Sequence, residues 1–193
     1  MTANTGTGAP LRLLALGDSL TAGYGLRETE GFTRQLEKAL NARGWRVRVL
    51  NAGVSGDTTA GGRERLDWAL QDKPDAALVA LGANDALRAL DPDAAEANLD
   101  AILQGLRTAR VPTLLIGMLA PPNLGPAYAA RFNPLYGRLA ARHQVPLYPF
   151  FLEGVAGAPG LNQADGLHPN AAGVAVMVNG VLPQVEALLQ TIR

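Results

Sequence analysis

Cysteine is absent from this 193-residue chain, which excludes disulfides, thiolate zinc sites and thiol catalysis. Net charge is absent too: Lys plus Arg and Asp plus Glu each number 17, so the charge balance points to no nucleic-acid partner and no anionic membrane surface. No uninterrupted apolar run approaches the roughly 20 residues of a membrane helix, and stable membrane insertion is not expected. Met1 to Pro10 is small and polar, without the basic segment and apolar core of a secretory signal. The expected compartment is cytoplasmic for the chain as given, and periplasmic or secreted if such a signal has been removed. Serine and histidine are scarce. The chain holds only Ser19 and Ser55, and only His143 and His168, so a serine–histidine mechanism has few pairings to choose from.

Hydrophobic residues make up 48% and charged residues 18%, the balance of a globular protein. The length suits one domain over residues 11–193, preceded by a flexible segment over residues 1–10. Apolar strands are expected over residues 11–16, 46–51, 76–81, 111–118 and 145–150. Between them lie helices. Phe32, Leu36, Ala39 and Leu40 share helical spacing, and Gly44 follows as a stop. A helix is expected around 63–71, and Asp91-Pro92 starts another that runs to about Ala109. The helix over 127–143 contains Pro134 and should kink or break there; the last, from Ala171, should be interrupted near Pro183. Strands that alternate with helices, without hairpin signals, indicate a parallel sheet covered on both faces: a three-layer α/β/α domain.

The first strand runs into Gly17-Asp18-Ser19-Leu20-Thr21-Ala22-Gly23. A turn there leaves Ser19 at the carboxyl edge of the sheet, where open α/β folds carry their chemistry. Ser19 is a candidate nucleophile, and the alternative is that Asp18 and Ser19 only cap a turn. Ser55 sits in a Gly- and Thr-rich loop that looks more like a source of backbone donors. His143 ends the helical run from Arg138, where a cation suits the helix dipole without further function. His168 lies in Asp165-Gly166-Leu167-His168-Pro169-Asn170, beyond the last strand. Across this spacing Asp165 can fold back to Nδ1 and leave Nε2 free to take a proton, the orienting job of the acid in a serine triad; a capped helix start is the plainer alternative. Acyl transfer also needs donors aimed at the oxyanion. Gly53, after the second strand, can offer a backbone N–H, and Asn84, after the third, a side-chain amide.

Four segments in register resemble the SGNH (GDSL) hydrolase family: Gly17-Asp18-Ser19-Leu20, Gly53 within Asn51-Ala52-Gly53-Val54-Ser55-Gly56-Asp57, Gly82-x-Asn84-Asp85, and Asp165-x-x-His168-Pro169. Within the family they resemble the bacterial branch of multifunctional thioesterases, lysophospholipases and arylesterases. The resemblance implies a flavodoxin-like five-stranded parallel sheet and an ester hydrolase without cofactor or metal. Ser19 is implied as nucleophile, His168 as general base and Asp165 as its orienting acid. The implied oxyanion hole is made by the N–H groups of Ser19 and Gly53 and the amide of Asn84.

Leu119, Pro121, Pro122, Leu124 and Tyr128 after the fourth strand, Leu87 and Leu90 after the third, and Leu167 beside His168 are candidates for an acyl-binding wall. Without a long insertion to act as a lid, the site should be open and accept short- to medium-chain esters, with thioesters and lysophospholipids as alternatives. Monomer and homodimer are equally compatible. Two other classes fit the same residues: a metal-dependent phosphoesterase using Asp18, Asn84, Asp85, Asp165 and His168, and a non-catalytic acyl-binding pocket.

Overall fold

The computed structural model describes residues 9–192; the segment 1–10, expected to be flexible, lies outside these apart from its last two residues. β1 (Leu11–Gly17) is apolar along most of its length, with Leu13, Leu14, Ala15 and Leu16 buried. Burial on both faces suits a central strand. It pairs in parallel with β2 (Val47–Gly53) on one side and β3 (Ala76–Ala80) on the other. β4 (Thr113–Ile116) and β5 (Leu147–Tyr148) extend the sheet in parallel, in the order β2-β1-β3-β4-β5. The strand order reverses between β1 and β3, and ligands of open α/β sheets bind at the carboxyl end of that switch point.

Helices cover both faces. α1 (Ser19–Ala22) is one turn long. α2 (Phe32–Ala42) buries Phe32, Leu36 and Leu40, one helical turn apart, and packs against α9 (Ala171–Gln190) on one face of the sheet. The other face carries α3 (Thr59–Glu64), α6 (Pro92–Thr108) and α8 (Leu135–His143). α6 starts as the sequence implies: Asp91 accepts from the N–H of Asp93, and Pro92 occupies the first turn. α4 (Leu66–Leu70), α5 (Ala83–Leu87) and α7 (Gly125–Phe132) complete the set.

Several elements differ from expectation, each for a physical reason. The helix expected around 63–71 is two helices, α3 and α4, broken at Arg65. β5 is two residues long because Pro146 and Pro149, which lack an N–H, bracket it. Pro112 similarly stands just before β4. Pro134 does break its helix, separating α7 from α8. Pro183 does not interrupt α9, which runs unbroken for 20 residues. Pro183 and Asn179, whose carbonyl loses its partner, both face solvent, while Val181, Leu182, Val185, Leu188 and Leu189 are buried around them. Tertiary packing outweighs the local penalty. The unbroken α9 is long and apolar enough to cross a membrane by length and composition, although Asn179, Pro183, Gln184 and Glu186 interrupt its apolar sequence. Half (50%) of its most apolar 18-residue stretch is buried inside the fold, as for a core helix.

Replacing Pro183 by Ala would restore an N–H to the Asn179 carbonyl. Pro183→Ala is expected to stabilise the protein by about 2 kcal/mol, the interior penalty of proline less its stiffening of the unfolded chain. Urea unfolding followed by circular dichroism checks this.

Candidate active site

The carboxyl end of β1 is shaped by Asp18. Its Oδ1 accepts the N–H of Leu20 at 3.0 Å and so caps α1, whose first residue is Ser19. The capping role of Asp18 therefore leaves Ser19 available as a nucleophile. Gly17 stays in the strand, and its missing side chain serves close approach: a Cβ there would lie 2.0 Å from Thr21 Oγ1. The left-handed residue of the motif is Gly23, at φ 84°. Asp18 is 1% exposed, and burial pushes its carboxyl up to about 6.

Asp165 and His168 lie on the loop before α9. Asp165 Oδ1 accepts the N–H groups of Leu167 at 2.9 Å and His168 at 3.0 Å. Its Oδ2 lies 2.6 Å from His168 Nδ1. The carboxylate can only accept, so Nδ1 carries the proton and Nε2 is left as an acceptor. His168 Nε2 lies 3.0 Å from Ser19 Oγ, joining residues 149 positions apart. The His168 N–H, then its ring, then the Leu167 N–H hold the Asp165 carboxyl down at about 2. Gln163 fastens this loop to the serine turn. Its N–H donates to the His168 carbonyl at 2.7 Å, and its Nε2 donates to Tyr24 at 2.8 Å and Pro169 at 2.9 Å. The Tyr24 and His168 rings are 4.5 Å apart. Ser55 is exposed in the β2–α3 loop. His143 sits at the opposite edge of the sheet, its Nε2 2.9 Å from Asp100 Oδ1.

Asn84 begins its chain position from Gly82, which adopts φ 117° and where a Cβ would lie 2.1 Å from Tyr136 Oη. Only glycine fits there. The adjacent Asp85, 3% exposed, accepts from the N–H and hydroxyl of Thr59 at 2.8 and 2.6 Å, tying α5 to α3. One hydrogen of the Asn84 amide goes to the Asp57 carbonyl at 2.8 Å, leaving the other for a ligand. The Ser19 N–H has no partner among the described residues.

Gly53 does not fit the oxyanion role expected for it. Its N–H donates to Asn51 Oδ1 at 3.0 Å, and a Cβ there would lie 2.3 Å from the Ala22 nitrogen. Gly53 lets α1 pack tightly on β2. The better-placed donor in the same loop is Gly56, next to the Asp57 carbonyl that Asn84 grips. Its N–H has no partner among the described residues, and its carbonyl is held by Arg88 at 2.6 Å. The sequence shows both glycines; which N–H is already taken depends on the Asn51 side chain.

A cavity of about 350 Å³ opens beside Ser19, Asn84 and His168. Leu87, Leu119, Pro121, Pro122 and Leu167 line it, joined by Met118, Phe150 and Leu152, which sequence reasoning missed. Tyr128 does not line it: its hydroxyl donates to the Leu90 carbonyl at 2.7 Å and its ring stacks on Phe132. Leu90 and Leu124 are also outside the lining. Among the described residues, no three His, Asp or Glu side chains gather to hold a metal ion. Asp18, Asp85 and Asp165 instead spend their oxygens on the N–H and O–H donors described above.

The GDSL-like Lipase/Acylhydrolase family profile matches residues 15–176. Esterase TesA of Pseudomonas aeruginosa is 42% identical over 178 residues, 92% of this chain and 89% of that protein. Thioesterase 1/protease 1/lysophospholipase L1 of Escherichia coli strain K12 is 37% identical over 92% of this chain and 84% of its own. The crystal structure of AlinE4, an SGNH-hydrolase family esterase, superposes with a TM-score of 0.81 at 46% identity, covering 95% of this chain and 99% of that one.

The raised Asp18 carboxyl makes a stability prediction. Its pKa moves from 3.8 in the unfolded chain to about 6 in the fold, so the native state binds the extra proton between those values and loses stability as pH rises through them. Asp18→Asn keeps a capping oxygen and removes the titration. Its stability relative to wild type should rise between pH 4 and 7 by up to roughly 3 kcal/mol, measured by urea unfolding at each pH.

Proposed function

The chain belongs to the GDSL-like lipase/acylhydrolase family, and on that premise we propose that it is a carboxylic ester hydrolase working through an acyl-enzyme on Ser19. The observation that carries this reading is the continuous relay from Ser19 Oγ through His168 to Asp165, beside an apolar cavity. His168 Nε2 takes the hydroxyl proton as Ser19 Oγ attacks the carbonyl carbon. Asp165, ionised above about pH 2, holds the ring and offsets the charge on the imidazolium. The tetrahedral oxyanion is received by the N–H groups of Ser19 and Gly56 and by the second hydrogen of the Asn84 amide. Collapse expels the alcohol, protonated by His168. Water then attacks the acyl-enzyme with the same histidine as base, releasing the acid and restoring Ser19.

All these groups come from one chain. The acyl chain takes the cavity lined by Leu87, Met118, Leu119, Phe150 and Leu152, whose size is near the lower end for ligand sites. Short- to medium-chain acyl groups fit this, with longer chains extending into solvent. The names of the relatives, an esterase and a thioesterase/lysophospholipase, support acyl transfer from oxygen or sulfur. Esters are the primary substrates in this reading, with thioesters and lysophospholipids as the alternatives.

Intact mass after treatment with a fluorophosphonate should show one adduct on wild type and none on Ser19→Ala. An unlabelled wild type that still hydrolyses esters would overturn the serine mechanism. With p-nitrophenyl esters from acetate to palmitate, activity should peak at short to medium chains. Asn84→Ala should lower kcat by roughly 10²- to 10³-fold while KM changes little.

A further inference from the structure

Arg65 stands at the break between α3 and α4, and its side chain reaches the carboxyl edge of the sheet. There the guanidinium makes three separate hydrogen bonds. Nη2 donates to the Gly17 carbonyl at 2.8 Å, at the end of β1 and two residues before Ser19. Nη1 donates to the carbonyl of Ala52, the penultimate residue of β2, at 2.7 Å. Nε donates to Asp57 Oδ2 at 2.7 Å. The Arg65 and Asp57 side chains are only 18% and 12% exposed, so these charge-assisted bonds are largely shielded from competing water.

Asp57 is the junction. Its carboxylate receives Arg65, while its main-chain carbonyl receives the Asn84 amide at 2.8 Å. The same loop is tied to β1 by the Val54 N–H on the Gly17 carbonyl, at 3.1 Å, and closed by the Asp57 N–H on the Val54 carbonyl, at 3.0 Å. α3 makes room for the carboxylate at Gly61, where a Cβ would lie 1.8 Å from Asp57 Oδ1. One planar fork thus touches the strand that carries the nucleophile, the strand that leads into the Gly56 loop, and the residue that orients Asn84. Arg65 does not line the acyl cavity.

We propose that Arg65 is a positioning residue for acyl transfer, holding the Ser19 turn and the Gly56–Asn84 donor pair in one rigid frame. This rests on the function proposed above. The oxyanion exists in the transition state and not in the bound ester, so a frame that aims its donors supports kcat and leaves KM nearly alone. Lysine, a point charge without the fork, cannot span the three acceptors.

The test is steady-state hydrolysis of a p-nitrophenyl ester by wild type, Arg65→Met, Arg65→Lys, Arg65→Ala and Asp57→Asn. Arg65→Met should lose on the order of 10²-fold in kcat with KM within about threefold, and Arg65→Lys should recover little of it. Millimolar methylguanidinium should restore part of the kcat of Arg65→Ala and leave wild type unchanged. If Arg65→Met does not fold, Asp57→Asn, which keeps size and both carbonyl bonds, should still show a loss confined to kcat of roughly tenfold. A folded Arg65→Met with kcat within twofold of wild type would overturn the proposal. So would a loss carried by KM alone, or one that follows the fall in Tm and is not rescued by methylguanidinium. The wild-type fluorophosphonate adduct separates the two readings: its absence with activity retained overturns the serine mechanism, whereas its presence beside an unaffected Arg65→Met overturns only the role of Arg65.

Discussion

Parallel pairing of β1 with β2 on one side and β3 on the other brings three chain exits to one edge of the sheet. Ser19 leaves from β1, the Gly53–Asp57 loop from β2 and Asn84 from β3. None of these segments holds a working arrangement by itself. Their closeness follows from strand register, with Gly17 paired to Gly53 and to Ala80. The loop with Asp165 and His168 then closes over that edge, fastened by Gln163 to Tyr24. The side chains that meet here are held by a sheet whose central strand is packed on both faces through Leu13, Leu14 and Leu16.

Four aspartates gather at this edge and each is held differently. Asp165 is exposed enough to be solvated and accepts two N–H groups and the imidazole, which keeps it ionised. Asp18 is buried, which raises its carboxyl to about 6, and its Oδ1 is committed to the N–H of Leu20 at the start of α1. Asp85 locks α5 to Thr59, and Asp57 is paired with Arg65. The same functional group therefore orients a base, caps a helix, braces a loop and anchors a cation. Burial and the local supply of donors decide which.

The alternating α/β order was legible because apolar runs and helical spacing are local properties, and the Asp91-Pro92 start of α6 is a local signal too. Prolines were harder to read. Pro146 and Pro149 trim β5 to two residues, because a missing N–H matters only once the neighbouring strand is known. Pro183 is carried within α9 because it falls on the solvent side of a helix whose other side is buried. Tyr128 has the composition of a pocket residue, yet its hydroxyl is committed to the Leu90 carbonyl.

By itself the sequence narrowed the reacting groups, and the resemblance of four segments to the SGNH family implied their chemistry. Two serines and two histidines, with Ser19 after an apolar strand and His168 three residues after Asp165, leave little choice of reacting groups. Tertiary structure decided which backbone donors are free. Gly53 ends β2 and Gly56 follows three residues later; the Gly53 N–H turns to the Asn51 side chain two residues back, and the N–H of Gly56, beside the Asp57 carbonyl that receives Asn84 from the β3 exit, has no partner among the described residues. It also decided the task of Arg65, an arginine in a helical segment until the break between α3 and α4 lets it reach Gly17, Ala52 and Asp57. A residue's type limits the bonds it can make, whereas its partners depend on chain segments distant in sequence, which meet only when the core is buried.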